Sequence, residues 1–421
     1  MSIKIFTTIG QIVLWTATVI AIATVEAFWI ARPAVPRGDF VAIENYLIQK
    51  LSHPDKSKLG SAALILIQDG EVVAAHSFGL ANATKEFPVE IDRTLYQMAS
   101  VSKMVTAWGI MKLVEDETIA LDKSVNQYLK RWKFPVSQYS EQVTVRHLLS
   151  HTGGLDDLFG YAGFLPDESI QSLEESLILT KDSTAGKPRG VTVAREPGKN
   201  WLYSGGGYTV LQLLIEDVTQ QSFSDYMEKT ILKPLGMKES SFAWEAITAS
   251  GRTDGLATSF DEKLQPSPQR RYTATAAASL YATPQDMANF VQAYSQKNLV
   301  LKQETLKQML IPQPGARQDW GLGHTLYVAS GADQFVVGHD GGNLPALGHT
   351  VRVNPATGNG IVLLISGNLE LASQLGDNWV YWETGKLPMN AKLRILGSRL
   401  VPALVGIGLG AIAILIRALT K

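Results

Sequence analysis

The chain predicts an α+β fold in which strands from its two ends make one antiparallel sheet and a helical region is inserted between them. Three observations carry this expectation. Short apolar or alternating runs cluster near residues 60–80 and again near 335–365, the stretch 104–330 is largely apolar at helical spacing, and turn-forming pairs separate the short runs.

The first strands are read from Ala62 to Ile67 and from Val72 to Phe78, joined by Asp69-Gly70. Asp-Gly supplies the positive φ angles of a tight hairpin turn, so the two runs pair antiparallel. Met104 to Val114 follows as a helix, with Val105, Trp108, Met111 and Leu113 at buried spacing. Tyr208 to Val218 and Phe223 to Leu232 repeat the helical period, interrupted by loops bearing glycine and proline. Strand grammar returns with Phe335–Val337, His349–Val353 and Gly360–Ile365, divided by Asp-Gly-Gly, Asn-Pro and Gly-Asn-Gly turns.

Both termini read as membrane helices. The 21 residues from Ile5 to Val25 carry no charge, and at about 1.5 Å per residue they reach roughly 30 Å, the depth of a hydrocarbon core. Phe28 and Trp29 follow as interface aromatics, with Glu26 beside them. A cleaved signal peptide is the competing expectation, against which stand the length of the run and the unconvincing cleavage sites around Ala21–Ala23 and Val25–Ala27. Leu400 to Ile416 is a second uncharged run of 17 residues, extended to full length if Arg399 snorkels, with Arg417 and Lys421 beyond it. The expected organisation is a signal anchor or signal peptide at 1–33, one large domain at 34–385 and a C-terminal transmembrane helix at 386–421, with the lipid bilayer as a partner.

Composition narrows the chemistry. The 421 residues are 45% hydrophobic with a net charge of −1, ordinary for a globular protein and without the basic footprint of a nucleic-acid binder. The chain has no cysteine, which removes disulfides, thiolate nucleophiles and cysteine-rich zinc sites. No metal and no cofactor are expected.

The segment with the clearest chemistry is Ser100-Val101-Ser102-Lys103, at the head of the helix read from Met104. Residues i and i+3 share a helix face, so the Ser100 hydroxyl and the Lys103 amine can meet. A helix N-terminus favours developing negative charge, while burial and the helix dipole push the lysine toward the neutral form that accepts a proton. Two further segments suit an acyl-transfer site. Pro197 to Tyr208 contains Tyr203 in a glycine-rich loop with Ser204 and Gly205, where a phenol can relay a proton. Gly338-His339-Asp340-Gly341-Gly342 ends a strand, where a polar side chain and a backbone N–H can meet a substrate carbonyl. Each alone has an ordinary structural reading, as a helix cap, a core tyrosine or a turn.

Together, a Ser-x-x-Lys, a Tyr-Ser loop 103 residues on and a His-x-Gly strand end 136 residues after that resemble the serine β-lactamase-related family, comprising class C β-lactamases, penicillin-binding proteins and esterases. Val143 to Leu155 and Lys233-Pro234-Leu235-Gly236-Met237 are similar to further family segments, and the resemblance spans roughly residues 40–370. It implies a β-lactamase/transpeptidase-like fold with flanking helices. Ser100 would be the nucleophile, with Lys103 and Tyr203 handling its proton in an order left open, and the N–H groups of Ser100 and Gly342 would form the oxyanion hole, each worth about 3–4 kcal/mol of barrier. Gly205, His339 and Gly341 would meet the substrate. His339 stands where many relatives carry lysine, so its charge near pH 7 is expected to tune activity. Gly205 stands where relatives carry an asparagine that bonds the substrate amide, so a chromogenic cephalosporin is expected to be a poor substrate. The expected function is hydrolysis of a D-amino-acid-containing peptide, an amide or an ester outside the cytoplasmic membrane, on its periplasmic or extracellular side. The alternatives are an inactive penicillin-binding sensor or scaffold, or a weak β-lactamase.

Overall fold

The structure, a computed structural model, describes residues 2–25, 38–52, 59–82, 84–156, 160–184, 189–261, 263, 265–295, 298, 300–331, 334–344 and 346–419. The chain forms two compact units. One is Phe40–Gly376; the other combines Met1–Asp39 with Asp377–Lys421.

The larger unit is built on a seven-stranded antiparallel sheet. Its strands are β1 (Ser61–Gln68), β2 (Glu71–Asn82), β3 (Phe87–Pro88), β4 (Thr325–Gly331), β5 (Gln334–Asn343), β6 (Leu347–Asn354) and β7 (Asn359–Ser366), in the order β3-β2-β1-β7-β6-β5-β4. N-terminal and C-terminal strands therefore meet at the centre, where Ala62 to Ile67 of β1 pair with Ile365 to Gly360 of β7. The β1–β2 hairpin turns on Asp69 (φ 52°) and Gly70 (φ 82°), both in the left-handed region the Asp-Gly pair predicts.

Because side chains alternate across a strand, the central strands present two apolar faces. Ala63, Ile65, Val351, Val353, Val362 and Leu364 join the main core beneath the helical region. The helix α2 (Phe40–Ser52) packs on β2 through the opposite alternation, with Ile43, Leu47 and Leu51 buried. The helix α3 (Val101–Glu115) is buried along most of its length and packs on β5 and β6. Beside it in the inserted region lies α4 (Gly205–Thr219), capped by the Ser204 hydroxyl, which accepts from the Gly207 N–H at 2.8 Å. Phe223–Met227 begins as an α-helix and widens to a π-turn over Glu228–Leu232 before the Lys233 to Met237 segment ends it.

Two sequence expectations change here. The Asp-Gly-Gly read as a turn lies inside β5, which runs on to Asn343. This extension outreaches β4, whose pairing with β5 stops at Gly338, so residues 339–343 keep an open edge.

The second correction concerns the membrane. The smaller unit contains α1 (Ser2–Val25) and α6 (Met389–Leu419), which pack together with the Trp15 ring against Gly410. The last part of α5 (Leu371–Thr384) also belongs to it, and there the Trp382 indole donates to the Asp39 carbonyl at 3.0 Å. Among the described residues no helix is long and apolar enough to cross a membrane. This overturns the expected anchors, the bilayer partner and the location at the cytoplasmic membrane. Absence of charge had stood in for apolarity. The uncharged run of α1 includes Thr7, Thr8, Gln11, Thr16, Thr18 and Thr24, and that of α6 is 17 residues containing Gly406, Gly408 and Gly410, which takes in Arg399 when extended upstream. Glu26, Phe28 and Trp29, and Lys421, lie outside the described residues.

Candidate active site

The site begins at the turn into α3. Ala99 takes φ 46°, a left-handed conformation that strains a residue with a Cβ by about 1–2 kcal/mol. It delivers Ser100 to the helix head with its backbone already helical (φ −66°, ψ −11°). Lys103 then lies one turn on, its Nζ 3.2 Å from Ser100 Oγ, as the i, i+3 spacing predicts. The same amine donates to the Ala277 carbonyl at 2.9 Å and rests 5.0 Å from the Tyr203 ring and 5.7 Å from the Tyr208 ring. With a side chain only 3% exposed, Lys103 is held by these contacts in one direction.

Tyr203 enters from the loop before α4. Its hydroxyl is buried and has no hydrogen-bond partner among the described residues. A buried phenol left unpaired beside a serine and a lysine is a group waiting for a ligand or a water. The loop is fixed from behind by His151, whose Nδ1 accepts from the Ser204 N–H at 3.1 Å and whose ring lies 4.4 Å from that of Tyr203. Accepting at Nδ1 requires a neutral imidazole. Burial, together with the charge of Lys103, holds His151 well below the ordinary histidine range.

On the opposite wall, β5 carries His339 toward this cluster and Asp340 away from it. The His339 ring is 6.3 Å from Tyr203 and 5.6 Å from Trp320. Its Nδ1 lies 2.6 Å from the Asp340 carbonyl, which can only accept, so the proton sits on Nδ1 and the buried Nε2 presents an unpartnered lone pair. Burial and the Lys103 charge both lower its pKa, and the imidazole is neutral at pH 7. The expected tuning by protonation near pH 7 is thereby corrected, because the Lys103 ammonium and the apolar surroundings both oppose a second cation.

Asp340 accepts from Tyr327 (3.0 Å), Thr350 (2.5 Å), Ser373 (3.0 Å) and Arg352 (3.1 Å); burial raises its carboxyl, but the Arg352 charge and these donors together hold it below the usual carboxylate range. Arg352 is fully buried, its guanidinium 3.9 Å from the Tyr327 ring. This network locks the strand end that bears His339 and Gly342.

The glycines have separate reasons. A Cβ on Gly341 would fall 2.4 Å from the Met98 carbonyl oxygen, so glycine here lets β5 close onto the start of α3. Gly342, by contrast, borders the cavity. That cavity, of about 410 Å³, is lined by Ser100, Lys103, Tyr203 and Gly342, which brings four of the sequence-predicted residues together. His339 lies just outside this lining, Gly341 faces α3, and Gly205 sits at the first turn of α4 beneath Tyr161.

Tyr161 escaped the sequence reading. A Cβ on Gly205 would stand 2.8 Å from Tyr161 Cε2, so the tyrosine ring occupies the space a larger residue at 205 would need. Its hydroxyl is fixed to Thr209 Oγ1 at 2.6 Å. Trp201 and Trp320, 5.4 Å apart and both near His151, were likewise missed. No motif flags them, since their meaning lies in contacts between distant segments. His147 and His151 share the i, i+4 spacing of a metal-binding pair, yet each Nδ1 accepts a backbone N–H. Among the described residues no three acidic, histidine or cysteine side chains group as metal ligands.

The comparisons with known proteins agree with this geometry. The sequence pattern of the beta-lactamase family matches residues 47–386. Penicillin-binding protein 4* of Bacillus subtilis is 30% identical over 179 residues, 42% of this chain and 37% of that protein. Protein flp of Staphylococcus aureus is 23% identical over 76% of this chain and 62% of its own length. The matches thus span less than two thirds of these relatives. Among solved structures, the octameric penicillin-binding protein homologue of Pyrococcus abyssi shares 26% identity at a TM-score of 0.67, covering 83% of this chain and 78% of that one. EstCE1, described as a hydrolase with promiscuous acyltransferase activity, shows the same fold at 19% identity and a TM-score of 0.61, covering 80% of this chain and 96% of its own. With the family pattern running over most of its length and the Ser100–Lys103 pair at the mouth of the cavity, the chain belongs to the beta-lactamase family.

Proposed function

We propose that the protein is a serine hydrolase that takes the acyl group of an ester, an amide or a D-amino-acid-containing peptide onto Ser100 and then passes it to water. The observation that carries this is Lys103 Nζ at 3.2 Å from Ser100 Oγ, in a cavity shared with Tyr203 and Gly342. Ser100 Oγ attacks the carbonyl carbon as its proton passes to Lys103 in its free-amine form or to Tyr203 in its phenolate form, the deprotonated state the reaction requires, and the C=O π pair moves to oxygen. That oxygen meets the N–H groups of Ser100 and Gly342. Among the described residues no protein acceptor is seen for the Ser100 N–H, and Gly342 lies on the open edge of β5. Collapse expels the leaving group, which collects the proton taken from Ser100, delivered through the Tyr203 hydroxyl, with Lys103 returning to the phenol any proton it had received. Water then attacks the ester on Ser100 by the same route and restores the hydroxyl.

The Gly205 and Tyr161 pairing weighs on the substrate. A site with a tyrosine ring where relatives place an amide donor discriminates little in favour of acylamino groups, which favours esters over β-lactams. A fluorophosphonate probe followed by intact mass tests the reading. One adduct per chain on the wild type and none on Ser100→Ala is expected; no adduct, or one that survives the substitution, refutes it.

A further inference from the structure

The position where many relatives carry a lysine holds the neutral His339, whose Nε2 offers a lone pair and therefore repels a carboxylate. Besides Lys103, which is held against Ser100, the cavity is lined by a second basic side chain, Arg270. This side chain lines the same cavity as Ser100, and its backbone is pinned by the Gln97 side-chain amide, which donates to the Arg270 carbonyl at 2.7 Å. Its stem packs where Gly163 leaves room, since a Cβ there would fall 2.9 Å from Arg270 Cβ. The Nε–H is buried without an acceptor, and among the described residues the guanidinium makes no ion pair. Its neighbour Arg271 also has a buried, unpartnered Nε–H but spends a terminal nitrogen on the Leu165 and Glu168 carbonyls, which Arg270 does not. Asp182, whose charge also reaches Tyr272, gives one carboxylate oxygen to the Gly163 N–H at 3.1 Å and does not pair with Arg270. Asn343, at the end of β5, faces the same cavity and donates to the Tyr272 hydroxyl at 3.0 Å, keeping its amide beside this wall.

An unpaired, partly desolvated guanidinium is costly unless a ligand supplies an oxyanion, for which its forked donors are shaped. The direction of that ligand follows from the cavity. Tyr161, Arg270 and Asn343 line it together with Ser100 and Gly342, whereas His339, Trp320 and Trp201 are not part of its lining. With Tyr203 protonating the leaving group, the retained acyl group is the part of the substrate set against Arg270, which shares the cavity with Ser100.

We propose that Arg270 is the specificity-determining anchor for a carboxylate carried on the acyl part of the substrate, so that this enzyme prefers acidic acyl groups. The proposal rests on the serine hydrolase reading above.

The test compares two esters on the purified full chain: the 4-nitrophenyl monoester of adipic acid, with its far carboxylate free, and the same compound with that carboxylate methylated. The wild type is expected to favour the free acid in kcat/KM by about tenfold or more, the worth of one charge-assisted pair. Arg270→Met is expected to lower the acid-to-methyl-ester ratio by about the same factor, and Arg270→Lys to retain part of it. Because each ratio is taken on one protein preparation, partial misfolding of a variant cancels. A wild-type ratio of one or below, or a ratio unchanged in Arg270→Met, overturns the proposal. If hydrolysis of the methyl ester depends on Ser100 while the acid preference is absent, the anchor alone falls; if either hydrolysis survives Ser100→Ala, the hydrolase reading falls and takes the anchor with it.

Discussion

Gly205 and Tyr161 are read as one complementary unit, and a double-mutant cycle puts a number on that reading. Replacing Gly205 by asparagine, the residue of many relatives, places a Cβ 3.3 Å from Gly160 Cα and only 2.8 Å from Tyr161 Cε2, the latter short of ordinary contact by about 0.6 Å or more. The ring cannot simply swing away, because its hydroxyl is held by Thr209 at 2.6 Å. Overpacking of this kind costs about 1–3 kcal/mol. Tyr161→Ala alone loses the ring contacts and one hydrogen bond, about 2–4 kcal/mol. In the double variant the clash has nothing to clash with, so its cost should be at least about 1 kcal/mol less than the sum of the two singles. Urea unfolding of the four proteins, with equal slopes, measures the coupling. Additivity within about 0.5 kcal/mol would show that the ring and residue 205 do not compete for space.

Two further predictions follow from the packing and the charge states. Gly341→Ala should destabilise the fold by about 1–3 kcal/mol and slow ester turnover about 100-fold, since the new Cβ would meet the Met98 carbonyl at 2.4 Å and push β5 off α3; normal turnover would refute the close approach. Stability should fall as the pH drops below about 6.5, because burial pushes His324 and His349 down to about 4 and also lowers His151 and His339. Between the folded and unfolded values the unfolded chain binds protons the fold refuses, so this stability is present above the unfolded pKa and is lost toward the folded one. A urea midpoint that is flat or rising from pH 7 to pH 5 would contradict the neutral, buried imidazoles.

Much of this architecture is legible in the sequence because its signals are local. Asp69-Gly70 dictates a hairpin, and the three-residue step from Ser100 to Lys103 dictates that hydroxyl and amine share a helix face. The strand end at Gly342 is recognisable by its company with Tyr203, although Asp340-Gly341-Gly342 reads as a turn when strand pairing with β6 cannot be seen. Tyr161 and Arg270 are not legible at all. Each gains its meaning from long-range contact, the first with Gly205 and the second with a cavity whose other lining residues come from segments far along the chain. The charge state of His339 is hidden for a similar reason, since burial and the Lys103 charge outweigh the opposing influence of its neighbour Asp340. The membrane expectation failed on a different ground, because a window without charges is not equivalent to an apolar helix.

The central claim is that Ser100 carries the acyl group during turnover. Rapid acid quench of the protein reacting with a 4-nitrophenyl ester, followed by intact mass and peptide mapping, reads it directly. The account predicts a mass increase equal to one acyl group, located on the peptide containing Ser100, that forms before steady-state release and disappears when substrate is exhausted. Continued turnover with no acylated protein at any quench time, or acylation mapped to another residue and retained in Ser100→Ala, would contradict it.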